Sequence, residues 1–290
     1  MMGFKYMRRL QQSPNYILLV LALVWTLFPV WWAFVLSIKH PLDFFTAKAL
    51  PFIQFQPTLD HWRYEWQAFD DPAGLGHGLT NSLIVATLTS GLSLALGGLA
   101  AFGLTLRRRK RRPIWPLVAL FLFPRILPPV ITVFPFATLM DWLGLTDTLL
   151  ALVIAHTTLA LPLAILILYS TIAELPTDLL DAAQVDGCGL LDTLRLVVIP
   201  LLLPALLATG ALCFAQSWNE FLYALMNVQQ RAQTAPLAIA SLLNKDGIEF
   251  EYVGSHLLMV MLPPLLLALL ARRYIVRGLS LGTLKDEVSK

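Results

Sequence analysis

Charged and amide side chains inside long apolar stretches are the residues of this sequence best placed to act on another molecule. Arg125 lies in one such stretch, and Asn219 and Glu220 lie in another. A charge in the centre of a lipid bilayer costs at least about 2.5–3.5 kcal/mol unless it is paired or wetted. We therefore expect Arg125 and Glu220 to pair with each other or to line a water-filled path. The alternatives are a polar lock between helices at Glu220 and an Arg125 that reaches the lipid headgroups.

Neighbouring residues suggest recognition more than catalysis. Trp218 could stack on the apolar face of a sugar ring, or it could pack in a protein core. His156 and the Ser255–His256 pair are the only tempting catalytic groups, and no third residue orients them. The sequence has no glycine-rich phosphate loop, no Gly-x-Ser-x-Gly turn and no His/Cys cluster with metal spacing. We therefore expect no catalytic site, no metal site and no cofactor.

The composition indicates what positions these residues. Of 290 residues, 57% are hydrophobic and 13% are charged, and the charged share is about half that of a soluble domain. A soluble protein of this length could not cover its surface with so few charges. The composition excludes a cytosolic enzyme and a disordered chain, and it predicts an all-α membrane protein with several spans.

Six apolar stretches reach the roughly 20 residues that a helix needs to cross the hydrocarbon core. The predicted spans are residues 16–38, 79–106, 114–140, 148–170, 201–228 and 255–274. Four prolines interrupt the third span, and such breaks are tolerated where helices line a cavity. The first span is too long for a cleavable signal peptide, and no cleavage site follows it, so we expect it to stay as an anchor.

The distribution of Lys and Arg predicts the orientation. With the amino terminus inside, fifteen basic residues fall in inside segments and five in outside loops. Both termini are therefore predicted to be cytoplasmic. The basic run of residues 107–112 is expected to contact anionic headgroups and not nucleic acid. The outer loop of residues 39–77 is rich in aromatic and acidic residues, which suits an interfacial belt or contact with an outside partner.

The second span carries small residues four positions apart, which stack along one stripe of a helix and allow another backbone to approach closely. The stripe predicts a packed bundle and no particular function. Its members are Thr89, Ser93, Gly97, Ala101 and Thr105.

The segment between the fourth and fifth spans, residues 174–206, is predicted to form two short helices with a turn. Pro176 begins the first helix, and Gly187 can adopt the left-handed conformation that ends it. A second helix is expected over residues 190–198, with Pro200 bending the chain into the fifth span. Such a unit could dock in a partner's groove or lie among headgroups, and the residues alone do not decide between the two.

This segment resembles the EAA loop of the permeases of ABC importers. The pattern reads Asp181-Ala182-Ala183, then Asp186-Gly187, then Ile199-Pro200. Asp181 replaces the usual Glu, and Cys188 replaces the usual Ala. In that family the loop forms coupling helices that seat in clefts of the ATPase subunits. The resemblance implies an ATPase-coupling set: Asp181, Ala182, Ala183, Asp186, Gly187, Arg195 and Pro200.

The chain from about residue 77 to 285 resembles the carbohydrate branch of these permeases, of the maltose-transporter MalG type. The matching motifs are Asn81-Ser82, Arg125-x-x-Pro128-Pro129, Leu143-Gly144-Leu145, Trp218-Asn219-Glu220-Phe221, Arg277-Gly278-Leu279 and Gly282-x-Leu284-Lys285. In this family the regions around the third and fifth spans form the gate or the cavity wall. The implied substrate path or gate set is Arg125, Pro128, Pro129, Trp218, Asn219 and Glu220.

The resemblance also implies an architecture and partners. The fold would be that of a type I ABC importer permease, with a permease core over residues 77–272. Residues 1–76 would hold the amino-terminal tail, the first span and the outer loop, and residues 273–290 a cytoplasmic tail. The importer would contain a second, MalF-like permease, two ATP-binding subunits and an extracytoplasmic solute-binding protein. It would lie in the plasma membrane of a prokaryote.

The resemblance implies that this chain is not an enzyme, because ATP and Mg would be bound by the ATPase subunits. The expected solute is a sugar, namely an oligosaccharide, a disaccharide or a polyol, with glycerol phosphate as another candidate. An ion-coupled or passive transporter is the competing class. Such transporters typically have repeats with broken helices in matched halves, and no such repeat is apparent.

Overall fold

Helices make up nearly all of the structure. The computed structural model describes residues 2–44, 46, 48–71, 74–244, 247–248 and 250–280. Of these, side chains are described for the residues that fall within 16–242 and 252–273. In these ranges one two-residue antiparallel pair forms the only sheet, β1 (Leu243–Asn244) with β2 (Gly247–Ile248). The α-helices are α1 Met2–Ser37, α2 Asp60–Gln67, α3 Leu75–Arg109, α4 Trp115–Ile126, α5 Pro129–Trp142, α6 Leu149–Ala173, α7 Thr177–Val185, α8 Leu190–Asp192, α9 Ile199–Trp218, α10 Leu222–Asn227, α11 Ala235–Ser241 and α12 Phe250–Ser280.

Six crossings of a membrane are available among the described residues. Five helices are long and apolar enough to span alone: α1, α3, α6, the continuous helix from α8 to α9, and α12. The sixth crossing is the bent pair of α4 and α5, whose axes differ by 91°. The prediction of an all-α protein with six spans is therefore confirmed.

The break in the third span has a local cause. A residue that precedes a proline is pushed out of the helical region into extended backbone. Leu127 precedes Pro128 and has φ −74° and ψ 131°. Pro129 then begins α5, where its missing N–H is not needed. The sequence analysis predicted that prolines interrupt the third span. In the structure this interruption is a right-angled turn between two helices, α4 and α5.

The fifth span departs from prediction at both ends. No turn occurs at Pro200, because Leu190–Asp192, a π-helical segment over Thr193–Val198 and α9 form one continuous helix. Pro200 lies just after the π-helical segment, and the helix runs through it to Trp218. At the other end α9 stops at Trp218, so Asn219 and Glu220 lie in a break before α10 and not within a span.

Contacts divide the chain into two units, Met1–Phe69 with Ile239–Met261, and Asp70–Ala238 with Leu262–Lys290. In the first unit Lys39 is fully buried, donates to the Thr46 carbonyl at 3.1 Å and lies over the Trp32 ring at 5.5 Å. Burial lowers the pKa of the Lys39 ammonium below its usual value, and nearby Asp43 opposes this. The end of the first span is thus tied to the segment that follows it.

The second unit is built on α3, α6 and α9. All five residues of the small-residue stripe on α3 are buried, which confirms the predicted packing face. A Cβ added at Gly97 would come within 2.9 Å of the Ala164 Cβ on α6, so the missing side chain is what allows this close approach. The helices therefore form a rigid frame around the segments that carry the candidate site residues.

Candidate functional site

The first candidate site is the short helix α7, which follows the fourth span. Leu180 and Ala183 face inward, and Leu180 joins a core cluster with residues of α3, α6 and α9. Leu179 and Val185 lie on the outside, and Val185 is 87% exposed. The apolar residues of α7 thus do not all lie on one face, because Leu180 and Ala183 pack inward and Val185 points outward. One face holds the helix to the bundle, and the other presents apolar side chains outward.

The turn after α7 is fixed by Gly187, as the sequence predicted. Gly187 has φ +80°, a left-handed conformation that a side chain disfavours. The Cys188 N–H donates to the Ala183 carbonyl at 2.9 Å, and the Gly187 N–H donates to the Gln184 carbonyl at 3.1 Å. These two bonds form a Schellman motif, which satisfies carbonyls at the end of the helix. The direction of the chain after α7 therefore depends on one glycine.

The basic run at the end of α3 holds α7 in place from the side. Arg109 pairs with the Asp181 carboxylate on α7. Arg108 donates to the Tyr169 hydroxyl at 3.3 Å, which ties the same run to α6. The distribution of basic residues predicted that this run contacts lipid headgroups. It did not predict the ion pair between Arg109 and Asp181. Asp181 remains exposed although it is paired.

Arg125 lies near the elbow between α4 and α5 and does not contact Glu220. Its guanidinium is exposed and donates to the Leu159 carbonyl of α6 at 3.4 Å. The Gln216 amide on α9 donates to the same carbonyl at 3.1 Å. Three helices therefore meet at one backbone oxygen, and Pro128 and Pro129 lie exposed beside this point.

The structure pairs Glu220 with His156 and corrects the expected pair with Arg125. The Glu220 Oε2 lies 3.2 Å from His156 Nε2, and the two side chains are 11% and 1% exposed. His156 Nδ1 lies 2.8 Å from the Ser217 hydroxyl. Both Glu220 oxygens also accept the Tyr223 N–H at 3.1 Å. Glu220 thus accepts a backbone N–H from the first turn of α10 and holds the break against α6, which is the polar lock that the sequence analysis kept as an alternative.

Trp218 and Asn219 lie at the same break between α9 and α10. Trp218 is 1% exposed and stacks on Phe214 with ring centroids 5.6 Å apart, so it cannot stack on a sugar in this conformation. Asn219 is exposed, and its amide donates to the Ala215 carbonyl at 2.8 Å. Of the two uses weighed for Trp218, core packing is therefore the one observed.

Sequence reasoning missed three partners in this region. His156 was considered as a tempting catalytic group that no third residue orients, and neither Thr132 nor Tyr223 was singled out. The Thr132 hydroxyl on α5 lies 2.7 Å from the Tyr223 hydroxyl on α10, which links the bent third span to the broken fifth. The available signal was a histidine inside an apolar span, because a buried imidazole needs a hydrogen-bond partner.

A second group of bonds fixes the segment that follows α10. Asp147, in the turn before α6, accepts the N–H groups of Gln229, Gln230, Arg231 and Ala232 at 3.0–3.2 Å. Burial raises the pKa of the Asp147 carboxyl, but these four bonds outweigh burial and hold the pKa below its usual value. Asp147 itself has φ +59°. One carboxylate therefore shapes four consecutive residues.

The Asn81-Ser82 motif holds the same segment from α3. The Asn81 amide donates to the Arg231 carbonyl at 3.0 Å and to the Gln233 carbonyl at 2.9 Å. The Ser82 hydroxyl accepts the Ala235 N–H at 2.8 Å. The motif at the start of the second span is thus explained by backbone recognition within the chain.

Comparison with known proteins assigns the chain to a family. The family profile of the binding-protein-dependent transport system inner membrane component matches residues 93–280. The chain belongs to this family. The match includes α7 with its turn, the bent third span and the break at Glu220. Residues 281–290, which hold the Gly282-x-Leu284-Lys285 motif, lie outside the described residues.

Individual relatives of this inner membrane component are similar over nearly their full lengths. The trehalose/maltose transport system permease MalG of Thermococcus litoralis is 32% identical over 92% of this chain and 95% of its own. The sulfoquinovosyl glycerol transport system permease SmoH of Agrobacterium fabrum is 31% identical over 89% of each chain. A solved structure of a bacterial ABC transporter involved in alginate import matches with a TM-score of 0.73 at 20% identity, over 92% of this chain and 96% of that one. The fold is thus that of an ABC importer permease.

Proposed function

We propose that this inner membrane component is one of two permeases that form the path for a sugar, with ATP hydrolysed on partner subunits. Two ATP-binding subunits and an extracytoplasmic solute-binding protein complete the importer, and ATP and Mg bind on the ATPases. The names of the relatives support the solute class, because they transport trehalose and maltose or sulfoquinovosyl glycerol. An oligosaccharide, disaccharide or polyol fits this class. Family membership disfavours an ion-coupled or passive transporter.

The geometry of α7 is the observation that carries the proposal. Val185 projects from the side of a short helix opposite the face that Leu180 fixes, and Leu179 is exposed beside that face. Exposed apolar side chains on a rigid amphipathic helix suit insertion into a groove of another protein. The coupling set would place Asp181, Ala182 and Asp186 on this exposed surface, with Gly187 setting its angle. We assign this surface to the ATPase.

The proposed solute path lies beside the broken third and fifth spans. Exposed Arg125 and Asn219 supply polar groups where two helices end within the bundle, and the exposed prolines at the elbow interrupt the helical hydrogen bonding there. Non-helical backbone at membrane depth is tolerated where it lines a water-filled cavity. Glu220 would stabilise this region through its contact with His156 and would not line the path itself. Trp218 is buried and is not part of the lining of the path.

Replacing Gly187 by Val tests the coupling role. Val cannot easily adopt φ +80°, so the turn should open and α7 should lose its angle to the ATPase. We expect solute-stimulated ATP hydrolysis and uptake to be lost in the reconstituted importer. Gly189, two residues on, has φ −68°, so Gly189→Val is a matched control that should retain both. Unchanged uptake and ATPase activity in Gly187→Val would overturn the assignment.

The proposed location is the plasma membrane of a prokaryote, with both termini cytoplasmic. The distribution of basic residues supports this orientation. A reporter active only outside the cytoplasm, fused after Lys290, should stay silent. The same reporter inserted in the outer loop near Asp60 should be active, and the reverse pattern would contradict the proposed topology.

A further inference from the structure

An apolar groove with a cation at one end lies on the second unit. It occupies about 470 Å³ between α3 and the continuous helix from α8 to α9, and Leu168 and Ile172 of α6 form its floor. Leu99 and Leu206 line its sides, and Arg195 lies among the lining residues. Gly98 also lines the groove, and the space beside it is open, because a Cβ there would meet only the Leu168 Cδ1 at 4.0 Å.

The position of Arg195 matches the headgroup level of a bilayer. Ile199 and Leu203, on the same helix, are 40% and 53% exposed. Leu196, directly after Arg195, is 68% exposed. Such side chains in a membrane span face hydrocarbon, so the hydrocarbon region begins close to Arg195. The basic end of α3 lies at the same end of the bundle, because Arg109 is tied to α7.

The guanidinium of Arg195 has no side-chain partner in the described part of residues 174–206. Among the described side chains it makes no ion pair and donates no side-chain hydrogen bond. It is the one base in residues 174–206, which contain five acids. It also lies in the π-helical segment Thr193–Val198, and π-helical turns inside α-helices are frequent at functional sites. An unpaired guanidinium at a membrane surface suits a phosphate, which it can contact through two N–H groups.

The length of the groove matches one leaflet. Arg195 and Leu206 are eleven residues apart on a continuous helix, or about 16 Å at 1.5 Å per residue. Half of the hydrocarbon core is about 15 Å. We propose that this groove binds one acyl chain of an anionic phospholipid, whose phosphate pairs with Arg195. Arg195 is then a lipid ligand, and the ATPase contacts fall to the rest of the coupling set.

The test measures lipid binding to the purified, assembled importer by native mass spectrometry. The probes are phosphatidylglycerol and phosphatidylcholine with identical acyl chains. We expect phosphatidylglycerol to bind at least about fivefold tighter, and Arg195→Gln to weaken its binding about tenfold while phosphatidylcholine changes little. Gly98→Leu should fill the groove and weaken both lipids. Loss of selectivity in Arg195→Gln with loss of both lipids in Gly98→Leu would establish the site.

Two controls separate this groove from general attraction to the membrane. Arg112 is an exposed base that follows the end of α3 and lies outside the groove, and Gly103 is an exposed glycine on α3 with no atom near its Cβ position. Arg112→Gln and Gly103→Leu should bind both lipids like the wild type. Wild-type lipid binding in both Arg195→Gln and Gly98→Leu would overturn the proposal. So would efficient cross-linking of Leu99→Cys to the second permease, because protein would then cover the groove.

Discussion

Replacing His156 by Phe tests whether a buried imidazole holds the break between α9 and α10. The Phe ring preserves most of the volume, so lost packing contributes little. Two polar contacts disappear, one to the Ser217 hydroxyl at 2.8 Å and one to Glu220 at 3.2 Å. A buried polar group that loses its partner costs about 1–3 kcal/mol, and both Ser217 and Glu220 lose the imidazole. We expect the free energy of unfolding to fall by about 2–4 kcal/mol.

A double-mutant cycle isolates the pair from its surroundings. Wild type, His156→Phe, Glu220→Gln and the double variant would be unfolded in detergent micelles at one pH. Because the two side chains are 1% and 11% exposed, we expect a coupling energy of about 1–3 kcal/mol. A parallel cycle with Arg125→Gln and Glu220→Gln should be additive within about 0.5 kcal/mol, since those groups make no ion pair with each other. Coupling in the Arg125 cycle together with additivity in the His156 cycle would refute this assignment of partners.

Two further predictions concern the segments around this break. Asp147→Asn should speed hydrogen exchange at residues 229–232 about tenfold at pH 7. Because folding lowers the pKa of the Asp147 carboxyl, protection in the wild type should be complete above about pH 3.9. It should be lost as the pH falls through the pKa of Asp147 in the folded protein. Equal protection in both proteins at pH 7 would show that the carboxylate does not hold the segment. Gly97→Leu should cost about 1–3 kcal/mol of stability by forcing Ala164 away, whereas Gly103→Leu on an open face of the same helix should be neutral. Equal melting temperatures for the two variants would contradict the close approach of α3 and α6.

Features that depend on local sequence were predictable. The spans follow from the length of each apolar run, and the turn at Gly187 follows from a glycine after a short amphipathic helix. The buried stripe on α3 follows from the spacing of small residues, because residues four apart share a helix face. Each of these needs no knowledge of which helices are neighbours. The domain limits at residues 76 and 272 stay a prediction.

Features that depend on which helices meet were not predictable. Glu220 has Arg125 and His156 as candidate partners, and the choice requires the packing of α6 against α9. Arg109 was assigned to headgroups because nothing local places Asp181 beside it. Pro200 was expected to bend the chain, but the helix continues through it from the π-helical segment into α9. In each case composition identified the unusual residue, and only the tertiary contact identified its partner.

The right-angled elbow at Leu127 determines how much area this chain occupies in the plane of the bilayer. Its arms have 12 and 14 residues, or about 18 and 21 Å of helix. At 91°, the line that joins their far ends is about 28 Å, close to the hydrocarbon thickness of about 30 Å. The pair therefore crosses only if both arms tilt steeply, and the elbow then projects sideways by about 13 Å, a little more than one helix diameter. A membrane partner on that side must leave a recess of this width, so the elbow limits which surfaces of a second permease can lie there.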